Sequence, residues 1–194
     1  MGSNKRLIST QVAAPTADYY LFASDAGGLQ SQFTAHFGGG QNNYSVPSGY
    51  SMWGGAFDPP NSITSACSGG SSTLSFTSSN RVATKSGAGY YVAGFSNFTR
   101  NDDRWYAELV FNSPDVAFGI TRERVCPFTT TFNSNSIRYY SWSGGIVNGI
   151  DGNSYSGTSW ATSGTVVAIA VNFYTSEFTF YRNNTSQGTY SFTK

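Results

Sequence analysis

Apolar and polar residues alternate along residues 104–111, RWYAELVF, near the middle of the chain. Every second residue from Trp105 to Phe111 is apolar, and Glu108 is among the residues that point the other way. A period of two is the pattern of a strand with one face buried and the other facing water. The segment therefore predicts a half-buried strand.

A second group of strands is predicted near the end of the sequence. Residues 165–173, TVVAIAVNF, are nearly all apolar, as expected of a strand covered on both faces. A short polar connection, 174–177, leads into 178–182, where the alternation resumes, so the two segments predict a hairpin. Residues 33–37 alternate as well, with the sole histidine, His36, on the less buried face, where a packing role is expected. Together these patterns favour an antiparallel all-β fold.

Length and composition agree with a single domain of this class. The 194 residues suit one domain and suffice for a full core. Charged residues make up only 11% of the chain, against 16% aromatic residues and 22 glycines, so its surface must be polar through Ser, Thr and Asn. Such a composition is typical of rigid extracellular or virion β proteins.

Charge and hydropathy argue against two classes of partner and leave a third. Binding to nucleic acid needs several clustered Lys or Arg residues that neutralise phosphates and release their counterions. The formal net charge of the chain is only +1, so no nucleic-acid partner is expected. No apolar run approaches the ~18 residues of a membrane-spanning helix, so no membrane insertion is expected. Residues 1–16 are polar and unpatterned and predict an arm that lies on another protein, ahead of one sandwich domain at 17–194.

The second half of the chain carries five segments in a recognisable order. Trp105–Leu109 matches a W-Y-F-E-V type strand, Ala117–Ile120 an I-G-I type strand, and 139–144 a Tyr/Gly-rich stretch. Residues 163–167 match a G-D-V-I type strand entry, and Phe180–Asn184, followed by Gly188, matches a final F-Y-x-N-G hairpin. In this order they resemble the SPRY family, a subgroup of the concanavalin A-like sandwiches. The resemblance implies a SPRY-type antiparallel β-sandwich. Thr165 stands where the family usually has Asp, and Asn184 where it usually has Gly; Asn tolerates positive φ, so the turn is expected to survive.

Two further stretches are similar to SPRY-like domains of tailed bacteriophages. Residues 57–99 resemble the opening of such a domain, and residues 37–50, FGGGQNNYSVPSGY, are similar to its closing strand. That strand normally follows the final hairpin. One hypothesis is a circular rearrangement in which residues 17–56 supply the closing strand from the N-terminal side. The alternative is an added N-terminal hairpin that pads one edge of a sheet.

The sequence predicts no catalytic residue and no cofactor. Glycoside hydrolases on related sandwiches need two carboxylates about 5–9 Å apart. Glu108 is alone on its strand face, so we expect it to accept a structural hydrogen bond rather than to act as a general acid. No G-x-S-x-G motif is present, and the chain has only one histidine that could serve as the base of a nucleophile–histidine pair.

No metal site is predicted either. Asp102, Asp103 and Asp151 offer loop oxygens but lack the spacing of an EF-hand. The two cysteines, Cys67 and Cys126, include no C-x-x-C pair that would indicate zinc. Whether they form a disulfide is left open by the sequence.

Residues 133–160 form the predicted ligand-binding region because they are rich in Tyr, Trp, Ser and Asn. Rigid aromatic rings can stack on sugars or fill a protein groove, while amide side chains adapt their hydrogen bonds. The alternative for each ring is that it faces the core, as about half are expected to do. The predicted ligand-binding residues are Tyr139, Tyr140, Trp142, Tyr155 and Trp160.

These observations predict a non-enzymatic structural protein of a bacteriophage virion: a capsid decoration, head-fibre or tail-fibre component that also binds a glycan or host surface. The expected partners are other virion proteins, through residues 1–16, and further copies of the chain in a homo-oligomer. One alternative is an intracellular SPRY-type adaptor that captures a linear peptide. A glycan-active enzyme is the weaker alternative.

Overall fold

The computed structural model describes residues 18–25, 34–37, 44–53, 73–79, 81–86, 93–111, 116–124 and 130–194. Cys67, Cys126 and the arm predicted at 1–16 lie outside the described residues. The described part of the chain contains one short helix, α1 (Thr130–Ser134), and no helix there is long and apolar enough to cross a membrane. Its strands are β1 (Tyr19–Asp25), β2 (Thr34–Phe37), β3 (Ser51–Met52), β4 (Thr73–Thr77), β5 (Val82–Ser86), β6 (Ala93–Arg100), β7 (Arg104–Phe111), β8 (Val116–Thr121), β9 (Ser136–Tyr140), β10 (Gly145–Asn148), β11 (Asn153–Ser156), β12 (Thr165–Asn172), β13 (Glu177–Arg182) and β14 (Thr185–Ser191).

The strands form two sheets. The six-stranded sheet has the order β11-β10-β9-β8-β1-β6, and the eight-stranded sheet has the order β14-β13-β12-β7-β2-β5-β4, with β3 paired to β7. The short β3–β7 pairing is parallel, and the other pairings between described strands are antiparallel. The predicted antiparallel all-β class is thereby confirmed.

The two sheets pack face to face through aromatic contacts. The ring centroid of Phe118 in the smaller sheet lies 6.4 Å from that of Phe111 and 6.2 Å from that of Phe180 in the larger sheet. Tyr139 in the smaller sheet lies 5.3 Å from Phe180. Ring pairs at such separations add roughly 0.5–1.5 kcal/mol each beyond the burial of their surface. The arrangement is that of a β-sandwich whose main core lies between the sheets.

β7 is buried on both faces along its middle, so the prediction of a half-buried strand is wrong. Tyr106 and Glu108, which were expected to face water, are each 1% exposed. The reason lies in segment 44–53, which places Val46 and Tyr50 over this outer face, where they pack with Tyr106 in a small cluster separate from the main core. Because this segment is distant from β7 in sequence, alternation along β7 gave no sign of it.

The prediction for the last strands is confirmed. All eight residues of β12 are buried, and β12 pairs antiparallel with β13 as the expected hairpin. The following turn joins β13 to β14 through Asn183 and Asn184, whose φ angles are 46° and 66°. Asn enters this left-handed region more readily than most residues, so the turn forms without the glycine usual in the resembling family.

The strand predicted at 33–37 is observed as β2, at Thr34–Phe37. It lies between β7 and β5 inside the larger sheet, and His36 pairs with Val82 on one side and Val110 on the other. Residues 34–37 therefore belong to the interior of a main sheet and not to its edge. A circular rearrangement stays a prediction.

Candidate binding rim

Two of the five predicted ligand-binding residues lie in the core. Tyr139 is 0% and Trp160 is 1% exposed, and their ring centroids are 5.6 Å apart. Tyr139 points inward because it alternates with Arg138 along β9, and Trp160 packs 5.0 Å from Phe111 of the larger sheet. These two rings are therefore corrected from ligand contacts to core residues.

Tyr155 joins the two sheets at one side of the sandwich. Its ring stacks on that of Tyr190 with centroids 3.9 Å apart and planes 18° apart. Tyr155 belongs to β11 and Tyr190 to β14, which are the edge strands of the two sheets on this side. Both rings are half-buried, so Tyr155 has a packing role already visible in the fold.

Tyr140 and Trp142 are brought together outside the main core. Their ring centroids are 6.5 Å apart, and the Arg138 guanidinium lies 5.7 Å from the Tyr140 ring. Burial raises the pKa of the Tyr140 phenol, so this half-buried residue stays neutral. Trp142 is 58% exposed, an unusual value for a residue that is normally well buried. Of the predicted set, Trp142 is thus the ring presented to solvent.

The turn that carries Trp142 is fixed to the neighbouring loop by hydrogen bonds. Trp160 N donates to Ser141 O at 2.8 Å, and Gly157 N donates to Gly144 O at 2.8 Å. Gly144 has a φ of 69°, and a Cβ there would lie 2.5 Å from Gly157 O, so only glycine lets the two backbones approach this closely. Trp142 therefore projects from a preorganised turn.

At the same end of the sandwich as the Trp142 turn, the larger sheet contributes the turn between β13 and β14. Thr158 N donates to Gln187 Oε1 at 2.8 Å, which ties the loop after β11 to β14. Val166 N donates to Asn183 Oδ1 at 3.0 Å, and Asn183 N donates back to Val166 O at 2.8 Å, which fixes the β13–β14 turn. We use the term uncharged rim for the exposed residues Trp142, Ser143, Thr158, Ser159, Asn183 and Asn184.

Sequence reasoning found one residue of the uncharged rim by its chemistry and left the others out. Asn184 was recognised only as a turn former, because nothing in the sequence places the β13–β14 turn at the same end of the sandwich as Trp142. Thr158 and Ser159 lie within the predicted region, but aromatic content alone drew attention there. The Trp142 turn, the loop at Thr158 and Ser159 and the β13–β14 turn share one end because of the strand order in the two sheets.

The opposite end of the sandwich carries charge. Asn172, at the end of β12, pairs with both Arg104 and Glu177. The first residues of β7 and β13 therefore lie at this end, at the other end of the strands from the Trp142 turn. Tyr19 at the start of β1 pairs with Arg100 at the same end. The described charged residues of this end include Asp18, Arg100, Asp102, Asp103, Arg104, Arg122, Glu123, Arg124, Asp151, Glu177 and Lys194.

Asp151 and Arg122 at the charged end hold the segment that follows β14. Thr193 N donates to Asp151 Oδ2 at 2.9 Å, and Arg122 Nη2 donates to Thr193 O at 2.6 Å. Asn148 Nδ2 donates to Asp151 Oδ2 at 2.7 Å. Burial alone would raise the pKa of the Asp151 carboxyl, but the bonds from Thr193 and Asn148 and the Arg122 charge hold that pKa below its ordinary value.

We expect Asp151→Asn to lower the free energy of unfolding at neutral pH, because an amide accepts these hydrogen bonds less well than a carboxylate. Since the folded-state pKa is lowered, the wild-type advantage is complete above the ordinary value of 3.8 and is lost as pH falls through the folded-state value. Thermal unfolding from about pH 7 to about pH 3 should show the two proteins converging. Asp102→Asn removes a charge from the same end as a control, and a gap between wild type and Asp151→Asn that is constant with pH would contradict the prediction.

Glu108 is a buried carboxylate, 1% exposed, that lies next to aromatic side chains. Its Oε1 accepts a hydrogen bond from Tyr106 Oη at 2.7 Å and from Tyr44 N at 3.2 Å. Burial, reinforced by Glu108, raises the pKa of the Tyr106 phenol, so that phenol remains a donor. These bonds are those of the structural acceptor expected at Glu108. Within the described ranges, no group of three or more His, Cys, Asp or Glu side chains could hold a metal ion.

No protein-family model, curated protein or solved structure matches the chain.

Proposed function

We propose that the chain is a non-enzymatic structural protein of a bacteriophage virion, serving as a capsid decoration, head-fibre or tail-fibre component. In this proposal its sandwich is of the concanavalin A-like, SPRY type, and the uncharged rim binds a glycan or another host-surface molecule. Residues 1–16 contact other virion proteins, and the chain acts as a homo-oligomer. The motif order of the second half and the low share of charged residues, 11%, support this choice.

The observation that carries the binding role is the exposure of Trp142 on a fixed turn. A 58% exposed indole leaves a large apolar surface in water, and its burial by a ligand would be favourable. The turn is already ordered by its bonds to the 157–160 loop, so a ligand need not supply the free energy of ordering it.

The hydrogen bonds of Glu108 favour a non-enzymatic role over a glycan-active enzyme. Hydrolysis of a glycosidic bond needs an acid and a second carboxylate flanking the substrate. Glu108 is 1% exposed and is engaged by Tyr106 and by the backbone of Tyr44, which suits a packing function. An adaptor remains the alternative that uses the same rim, and it predicts capture of a linear peptide by a monomer.

Gold-labelled antibody imaging of particles from the source lysate tests the virion role. We expect label on intact particles, spread over the head for a decoration protein or confined to the tail for a fibre component. Antibody against an unrelated host protein on the same grids is the control. Particles without specific label would overturn the proposal and favour the adaptor or the enzyme.

A further inference from the structure

The two ends of the sandwich differ sharply in charge. The exposed residues of the uncharged rim are neutral and polar except Trp142, whereas most of the described acidic and basic residues lie at the opposite end. Two described charged residues lie at the Trp142 end: Asp25, which pairs with Val116 at the end of β1, and Lys85 of β5, which is 0% exposed. Arg182, next to Asn183, is the described cation nearest to the rim along the chain. It is half-buried and lies on the inner face of β13 with Phe178 and Phe180. Burial raises the pKa of the Tyr139 phenol, and the nearby Arg182 charge partly offsets this rise. Among the described residues, the exposed side chains on the turns at 142–143, 158–159 and 183–184 are therefore uncharged.

The chemistry of this surface matches one class of ligand. An indole face stacks on the apolar C–H face of a sugar ring, while Ser and Thr hydroxyls and Asn amides both donate and accept hydrogen bonds. An anionic ligand would instead need exposed cations, which pair with carboxylates or phosphates. A peptide bound by strand addition would need a free sheet edge, and Trp142 and Asn183 lie on turns.

We propose that the uncharged rim binds a neutral polysaccharide, with one sugar ring stacked on Trp142. This inference rests on the binding role proposed above and names its ligand class. The Trp142 ring lies 6.5 Å from that of Tyr140, and its turn is held by hydrogen bonds to the 157–160 loop. The neighbouring Thr158 and the Asn183–Asn184 turn provide polar groups at the same end for the sugar hydroxyls.

Binding of the full chain to a defined panel of polysaccharides tests the inference. The neutral probes are dextran, mannan and galactan, and the anionic probes are hyaluronate and alginate. We expect binding to at least one neutral probe, little change with added salt, and weakening by roughly tenfold or more in Trp142→Ala. Trp142→Phe, which keeps a ring, should retain part of the affinity. Tyr174→Ala is the matched control, because Tyr174 is 61% exposed in the β12–β13 turn at the charged end.

Three results would overturn the inference: binding of the anionic probes alone, binding of a neutral probe that Trp142→Ala leaves unchanged, or binding of no probe. Particle labelling separates these failures from failure of the proposed function. Labelled particles together with no neutral binding reject the ligand class alone. Neutral binding through Trp142 without labelled particles rejects the virion role alone.

Discussion

Replacing Trp160 by alanine should lower the free energy of unfolding by about 3–5 kcal/mol, the range for truncating a buried aromatic side chain. Trp160 is 1% exposed, and its ring lies 5.0 Å from Phe111 and 5.6 Å from Tyr139. It therefore bridges both sheets at the end below the Trp142 turn. Loss of the indole leaves a cavity that the surrounding strands can fill only in part.

Urea unfolding followed by far-ultraviolet circular dichroism measures this loss. Trp142→Ala is the matched control, since it removes the same side chain from an exposed position and should change the free energy of unfolding by less than about 0.5 kcal/mol. Trp160→Phe keeps much of the ring packing and should fall between the two. Equal destabilisation by Trp142→Ala and Trp160→Ala would contradict the assignment of one ring to the surface and the other to the core.

This pair of tryptophans shows where sequence reasoning stopped. Both lie among Gly, Ser and Thr residues without a regular period, so no pattern told an inward ring from an outward one. Trp160 is buried because its backbone bonds to Ser141 across the gap between two turns, a contact fixed by the fold. Tyr139 was a different case. Tyr139 shares a face of β9 with Ile137 and alternates with Arg138, a pattern that was readable, but the adjacent Tyr140 obscured it.

Strand positions were more accessible because a period of two is local information. β7 and β12 were predicted at nearly their observed bounds. Burial of the outer face of β7 was not accessible, because it depends on Tyr50 and other residues of segment 44–53 that pair with the strand only in the folded chain. Likewise the sequence marked Asn184 as part of a turn without showing that this turn shares an end with Trp142.

Gly119→Ala should destabilise the sandwich by about 3 kcal/mol or more, at the upper end of overpacking effects. Gly119 lies in β8 opposite Arg138 of β9, and a Cβ added there would lie 1.9 Å from Ile137 O and 2.9 Å from Ile137 C. Both atoms belong to the backbone of the adjacent strand, so no side-chain rotation relieves the clash. β8 and β9 must separate, and the hydrogen bonds between them weaken in consequence.

Gly145→Ala distinguishes this clash from a general cost of replacing glycine. Gly145 also lies in a strand of the smaller sheet, but the atoms that its Cβ would meet are side-chain atoms, Ser143 Oγ at 3.1 Å and Tyr140 Cδ2 at 3.9 Å. Those side chains can shift, so we expect Gly145→Ala to stay within about 1 kcal/mol of wild type in the same urea titration. If Gly119→Ala unfolds the chain outright, the soluble yield and the loss of strand signal report it. A Gly119→Ala protein as stable as Gly145→Ala would show that β8 and β9 are not this close.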